Sequence, residues 1–175
     1  MRQNNQLVAV AILSLFLVGC GKGGDSSGKS AAGADSKLLE FVATQDEKPL
    51  NIKPELFDTA EAKQFGATGK NPYIGKPEAI EKGKKLFQMY SCTQCHGANA
   101  QGQTGPSLHG PNFKYAKDAT NKGMFETIWH GTNGGMGAKG VGLMSPDDPT
   151  AGLKPDEVLK IQAWIRSHGT TTGNE

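Results

Sequence analysis

The chain has 175 residues, 36% hydrophobic and 7% aromatic with 24 glycines, which leaves room for one domain and a modest appendage and supplies few large apolar side chains for a core. Lys+Arg 19 against Asp+Glu 17 gives a formal charge of +2, too balanced for a protein held mainly by nucleic-acid phosphates. No apolar stretch reaches about 18 residues, so no ordinary membrane span is expected, and 3 cysteines cannot make a fully paired disulfide framework.

Met1 to Gln6 is polar with the single cation Arg2, and Leu7 to Val18 is an unbroken apolar run. This layout predicts a secretory signal peptide over residues 1–19, too short to span a bilayer stably. The run ends in Leu17-Val18-Gly19-Cys20, which resembles a bacterial lipoprotein cleavage box. That resemblance implies a diacylated Cys20 as the first mature residue and a periplasmic protein anchored to a membrane, since two acyl chains suffice for stable anchoring. The alternative is an ordinary secretory cut near Gly19, which would leave Cys20 as an idle, oxidisable thiol. Residues 20–36 hold no large apolar side chain after Cys20 and read as a flexible tether, with a mean reach of roughly 20–25 Å.

Residues 37–75 carry Leu38, Leu39, Phe41, Val42, Leu50, Ile52, Leu56 and Phe57, too many apolar groups for a pure linker. They are expected to form an N-terminal extension wrapped on the domain that follows, residues 76–170, with 171–175 as a tail. Pro77 to Tyr90 begins with Pro near a first turn and has early acids at Glu78 and Glu81, which predicts a helix. Its apolar face is Ile80, Phe87 and Met89, and Gly83 allows another helix to approach closely.

Cys92-Thr93-Gln94-Cys95-His96 is a CxxCH motif, the signature of covalent c-type haem attachment. Two intervening residues put both sulfurs on one helical turn, and the adjoining His reaches the iron from the same side. A thioredoxin-like CxxC would follow a strand in a βαβ pattern, which is not visible here. A structural zinc site would need two more ligands, and no second Cys pair exists. One covalent haem c would also supply the apolar bulk that the side chains lack.

Gly97 to Thr120 and Gly131 to Thr150 read as loops rich in Gly, Pro, Asn and Asp. Between them Gly123 to His130 predicts a short helix carrying Met124, Phe125, Ile128 and Trp129. Lys154 to Ser167 predicts the last helix, with Val158, Ile161, Ala163, Trp164 and Ile165 as its buried stripe. The expected fold is therefore all-α, helices packed around one haem.

Gly83-x-x-x-Phe87 ahead of CxxCH, with Trp164 on an amphipathic last helix, resembles the class I cytochromes c. In that family the first and last helices cross in contact, and a Pro carbonyl placed like Pro106 accepts the proton of the ligand His. Thr68-Gly69-Lys70-Asn71-Pro72-Tyr73, Gly123-Met124-Phe125-Glu126-Thr127-Ile128 and Gly134-Gly135-Met136-Gly137 further resemble the cytochrome c-L group and related cytochrome partners of quinoprotein alcohol dehydrogenases. The loop Ala138 to Leu153 looks more like the ethanol-type partners.

The sixth ligand separates a carrier from an enzyme, because Met/His ligation closes the iron and raises its potential. Met89 and Met124 lie on predicted helices among apolar residues and read as core. Met136 and Met144 remain; the cytochrome c-L resemblance implies Met136, with Met144 as the alternative. His109, His130 and His168 read as surface or supporting residues. The resemblance implies an electron carrier and not an enzyme. It would take one electron at a time from a pyrroloquinoline-quinone (PQQ) dependent alcohol dehydrogenase and pass it to a second cytochrome or a terminal oxidase. The alternatives are a general respiratory carrier without a dehydrogenase tie, or a haem sensor or enzyme with a labile sixth ligand. Docking is expected around an uncharged haem edge, with Lys76, Lys82, Lys84, Lys85, Lys114, Lys117 and Lys122 as a possible steering surface.

Overall fold

The computed structural model describes residues 37–175; the signal peptide, Cys20 and the tether assigned above lie outside the described residues. The described chain contains helices but no strands, only the isolated bridges Val42–Pro49 and Gly140–Leu153. The helices are α1 (Ala60–Thr68), α2 (Pro77–Met89), α3 (Thr93–His96), α4 (Asn121–His130) and α5 (Pro155–His168). Pro at the first position of α2 and α5 presets the turn. The hydroxyls of Thr59 and Thr120 accept from Ala62 N and Gly123 N and so cap α1 and α4.

α2 and α5 cross in extensive contact. Gly83 sits at the crossing, where a Cβ would lie 1.9 Å from the Lys160 carbonyl oxygen of α5. One turn on, the rings of Phe87 and Trp164 meet at 4.5 Å. Gly83→Ala therefore forces backbone against backbone. A loss at the upper end of the about 1–3 kcal/mol typical of overpacking is expected, measured as a lowered denaturant midpoint of the haem-loaded protein.

The extension is packed, not loose. Phe41, Phe57 and Phe65 join Phe125 and Trp129 of α4 in an aromatic cluster with ring centroids 5.0–6.4 Å apart. The strap over α4 is fixed by Glu126, only 1% exposed. Its carboxylate accepts from Val42 N at 2.9 Å and pairs with Lys117 at 2.6 Å and Lys122 at 2.5 Å. Two of the lysines expected to steer a partner, Lys117 and, on α4, Lys122, are thus engaged in the fold. The tail is tied down as well: Asn174 exchanges hydrogen bonds with the backbone of buried Asn71, whose amide donates to Leu159 O and Gln162 Oε1.

Met89 corrects the expected core assignment: it is 71% exposed. Two residues beyond Phe87 on a helix is about 200° around the axis, the side away from α5. Met124 is buried as expected.

Candidate functional site

Cys92 ends the α2–α3 connection and Cys95 and His96 lie on the single turn of α3. Neither sulfur takes part in a disulfide. Burial pushes the Cys92 thiol above its ordinary value, with Lys139 opposing the shift. The loop after α3 folds back on it: Gly102 N donates to His96 O and Gly105 N to Cys95 O, both at 2.8 Å. Only a residue without Cβ fits easily at 105, since that atom would sit 3.2 Å from His96 Cε1 and Cys95 Cβ. The result is that the Pro106 carbonyl reaches His96 Nδ1 at 2.8 Å. A carbonyl can only accept, so Nδ1 carries the proton and Nε2 keeps its lone pair for a metal.

Two adjoining cavities share His96, Leu108, Asp118, Thr127 and Met136. The inner one is lined by Phe87, Met124, Ile128, Ile161 and Ile165 with Cys92 at its edge. The outer one opens past Cys95, Pro106, Tyr115 and Thr132. Met136 is held in the tight loop after α4, where Thr132 N donates to Met136 O at 2.8 Å and Gly131 leaves no room for a Cβ, 2.5 Å from that same oxygen. Met144 lines neither cavity and is 42% exposed.

This donor set suits a haem. Among the described residues no group of three His, Cys, Asp or Glu side chains could hold a metal ion unaided, which disfavours a zinc site. A porphyrin brings four nitrogens of its own and asks of the protein two thiols, an imidazole nitrogen, a second axial donor and an apolar cradle. Cys92, Cys95, His96, Met136 and the inner cavity offer these. His109, His130 and His168 line neither cavity. His109 and His168 stack at 6.0 Å near the end of α5, and His130 Nδ1 is buried without a partner.

Asp118, Thr127, Tyr115 and Leu108 are cavity residues that the sequence reading missed. Asp118 is 7% exposed, and its Oδ1 accepts from the Thr127 hydroxyl at 2.6 Å.

Residues 80–169 match the family model for cytochrome c. Cytochrome c-L of Methylorubrum extorquens is 38% identical over 109 residues, 62% of this chain and 50% of that protein. The cbb3-type cytochrome c oxidase subunit CcoP of Helicobacter pylori is 33% identical over 106 residues, 61% of this chain and 32% of that one. The chain thus spans about half the length of the first of these curated relatives and about a third of the second. Cytochrome CL of Methylophaga aminisulfidivorans superposes with a TM-score of 0.61 at 36% identity, covering 74% of this chain and 79% of the other. Cytochrome cL of Hyphomicrobium denitrificans gives 0.64 at 33%, covering 77% and 76%.

Proposed function

Because the chain belongs to the cytochrome c family and carries that family's haem c, we propose that it is a mono-haem, one-electron carrier which accepts electrons from a PQQ-dependent alcohol dehydrogenase of the methanol or ethanol type. It passes them to a downstream cytochrome or a terminal oxidase. The observation that supports carriage best is that His96 and Met136 line both of two adjoining cavities, with Cys92 at the edge of the inner one and Cys95 at the outer one.

Haem c, when bound, supplies a one-electron iron couple whose potential an axial thioether raises. Cys92 and Cys95 would hold it through their sulfurs. His96 presents Nε2, oriented by the 2.8 Å bond to Pro106 O. Met136, on the wall of the same cavities as His96, would offer its thioether as the second donor, which would leave no open site for a substrate or gas molecule. Phe87, Ile128, Ile161 and Ile165 exclude water from the inner side, which keeps reorganisation on electron transfer small. The likeness to cytochrome c-L over the extension as well as the haem domain supports the dehydrogenase as donor.

Mixing the oxidised protein with a reduced, purified quinoprotein alcohol dehydrogenase tests this directly. Haem reduction should be second order and slow down as ionic strength rises toward physiological values, where the Debye length is about 8 Å. No reduction would remove the dehydrogenase from the account. It would favour the second reading, a general respiratory carrier, which the similarity to CcoP over a comparable length supports.

Cys20 is proposed as a lipid anchor on the periplasmic side; among the described residues no helix is long and apolar enough to cross a membrane. Cys20→Ser should shift the protein from the membrane to the soluble fraction with its haem intact. A variant that still sediments with membranes would refute the lipid.

A further inference from the structure

Three features of the outer cavity wall go together. Asp118 lines the cavity with His96 and Met136 and is only 7% exposed. Thr127, itself buried on α4, donates to it at 2.6 Å. Thr44 of the extension lies 2.9 Å from the Thr127 hydroxyl and is half-exposed, next to exposed Gln45 and Asp46. A line of two hydroxyls thus runs from the surface to a carboxylate in the cavity wall.

We propose that Asp118 takes up a proton when the haem iron gains an electron, supplied from water through the hydroxyls of Thr44 and Thr127. The inference rests on the carrier reading given above, but only on its haem and not on its partner. In balance, one electron from the donor reduces Fe(III) to Fe(II), and one proton from water converts the Asp118 carboxylate to the acid. Thr127 hands its hydroxyl proton to Oδ1 and takes one from Thr44, which is replenished by water; no other bond changes.

The physical reason is charge. An electron added in a water-poor cavity is poorly screened, and a carboxylate nearby is repelled by it more than in water. Asp118 is poised for this, since burial pushes it up to about 6 against the Thr127 hydrogen bond and the cations Lys117 and Arg166, with Glu126 adding to the rise. Arg166 Nη2 is spent on the Asp118 backbone oxygen at 2.7 Å and not on its carboxylate. The other titratable groups on the cavity walls are Lys114, Tyr115, His96 and the thiols of Cys92 and Cys95, which haem attachment would consume.

The test is the midpoint potential of the purified haem-loaded protein, titrated against pH without any dehydrogenase. In the wild type it should fall with rising pH through about pH 6, no more steeply than about 59 mV per unit, the value for one proton per electron. Asp118→Asn should be flat over that range and sit at the wild type's acid limit; Asp118→Glu should restore a slope. Thr127→Val removes a bond that favours the charged form and should move the sloping region to higher pH. Thr44→Val should leave the slope and slow proton uptake after rapid reduction. A flat wild-type profile, or the same slope in Asp118→Asn, overturns the proposal. If Asp118→Asn fails to load haem, the wild type still decides. Its reduced-minus-oxidised infrared difference spectrum must gain a carboxylic acid band, and absence of that band overturns the proposal. Failure to bind haem at all would instead sink the carrier reading.

Discussion

Alanine at both Cys92 and Cys95 is expected to abolish covalent haem and with it most of the tertiary structure, while alanine at either one lowers the haem content. The cradle explains the size of the effect. Phe87, Leu108, Met124, Ile128, Ile161 and Ile165 face the inner cavity from α2, α4, α5 and the loop after α3. Haem supplies the packing partners across this cavity, and without it the side chains line an unfilled space, whose cost in a core runs to about 24 cal/mol per Å³ on top of the lost apolar transfer. A domain is stable by only about 5–15 kcal/mol, so a handful of such losses is enough to unfold it. The aromatic cluster of Phe41, Phe57, Phe65, Phe125 and Trp129 lines neither cavity. It should therefore hold α1 and part of α4 in the double variant. The expected state is one with much of its far-ultraviolet helical signal and little near-ultraviolet signal. Haem staining after denaturing electrophoresis reads the covalent bond, and a double variant that still stains would refute the attachment sites.

Much of this was legible in the sequence because it depends on near neighbours. Cys92, Cys95 and His96 need one turn, and Pro106 follows within ten residues, so spacing alone brings them near each other. The Gly83–Phe87 face and the stripe ending at Ile165 are periodic, and periodicity reports the buried side of a helix. What was illegible depends on distant partners. Asp118 and Glu126 look like ordinary surface acids until the extension and α5 pack on them. Glu126 is buried where the extension crosses α4, and Val42 N, 84 positions earlier, donates to its carboxylate. α1 escaped because its apolar pattern is sparse, with Ala62, Phe65 and Gly66 as its buried face. Its ends were readable all the same: Thr59 caps it and Gly69, at φ +72°, closes it. Met89 is the reverse case: it is apolar and on a helix, yet it lies about 200° around the axis from Phe87 and faces away from the core.

Met136→Ala should remove the axial thioether, abolish the long-wavelength charge-transfer band of the oxidised haem and lower the midpoint potential, whereas Met144→Ala should do none of these. A thioether stabilises Fe(II) relative to water or an amine. Since axial ligands spread haem potentials over about 0.8 V, loss of one should cost on the order of 0.1 V or more. The two loops differ in what holds them. The Met136 loop is pinned at both ends: Thr132 N donates to Met136 O, and Lys139 N and Gly140 N return to the carbonyls of Ile128 and Trp129 at the end of α4. That fastening costs little entropy when the thioether meets the iron, because the backbone is already fixed. Met144 lies four residues past Gly140, just beyond a turn closed by Leu143 N on Gly140 O, with Leu143 and Met144 both exposed. To reach the cavity it would have to displace Met136 and break the contact of Gly140 with Trp129, whose ring lies 2.5 Å from where a Cβ would stand. Redox titration and the oxidised spectrum of the two variants decide the matter. If Met144→Ala alone loses the band, the axial assignment passes to Met144 and the loop after α4 must rearrange on haem binding.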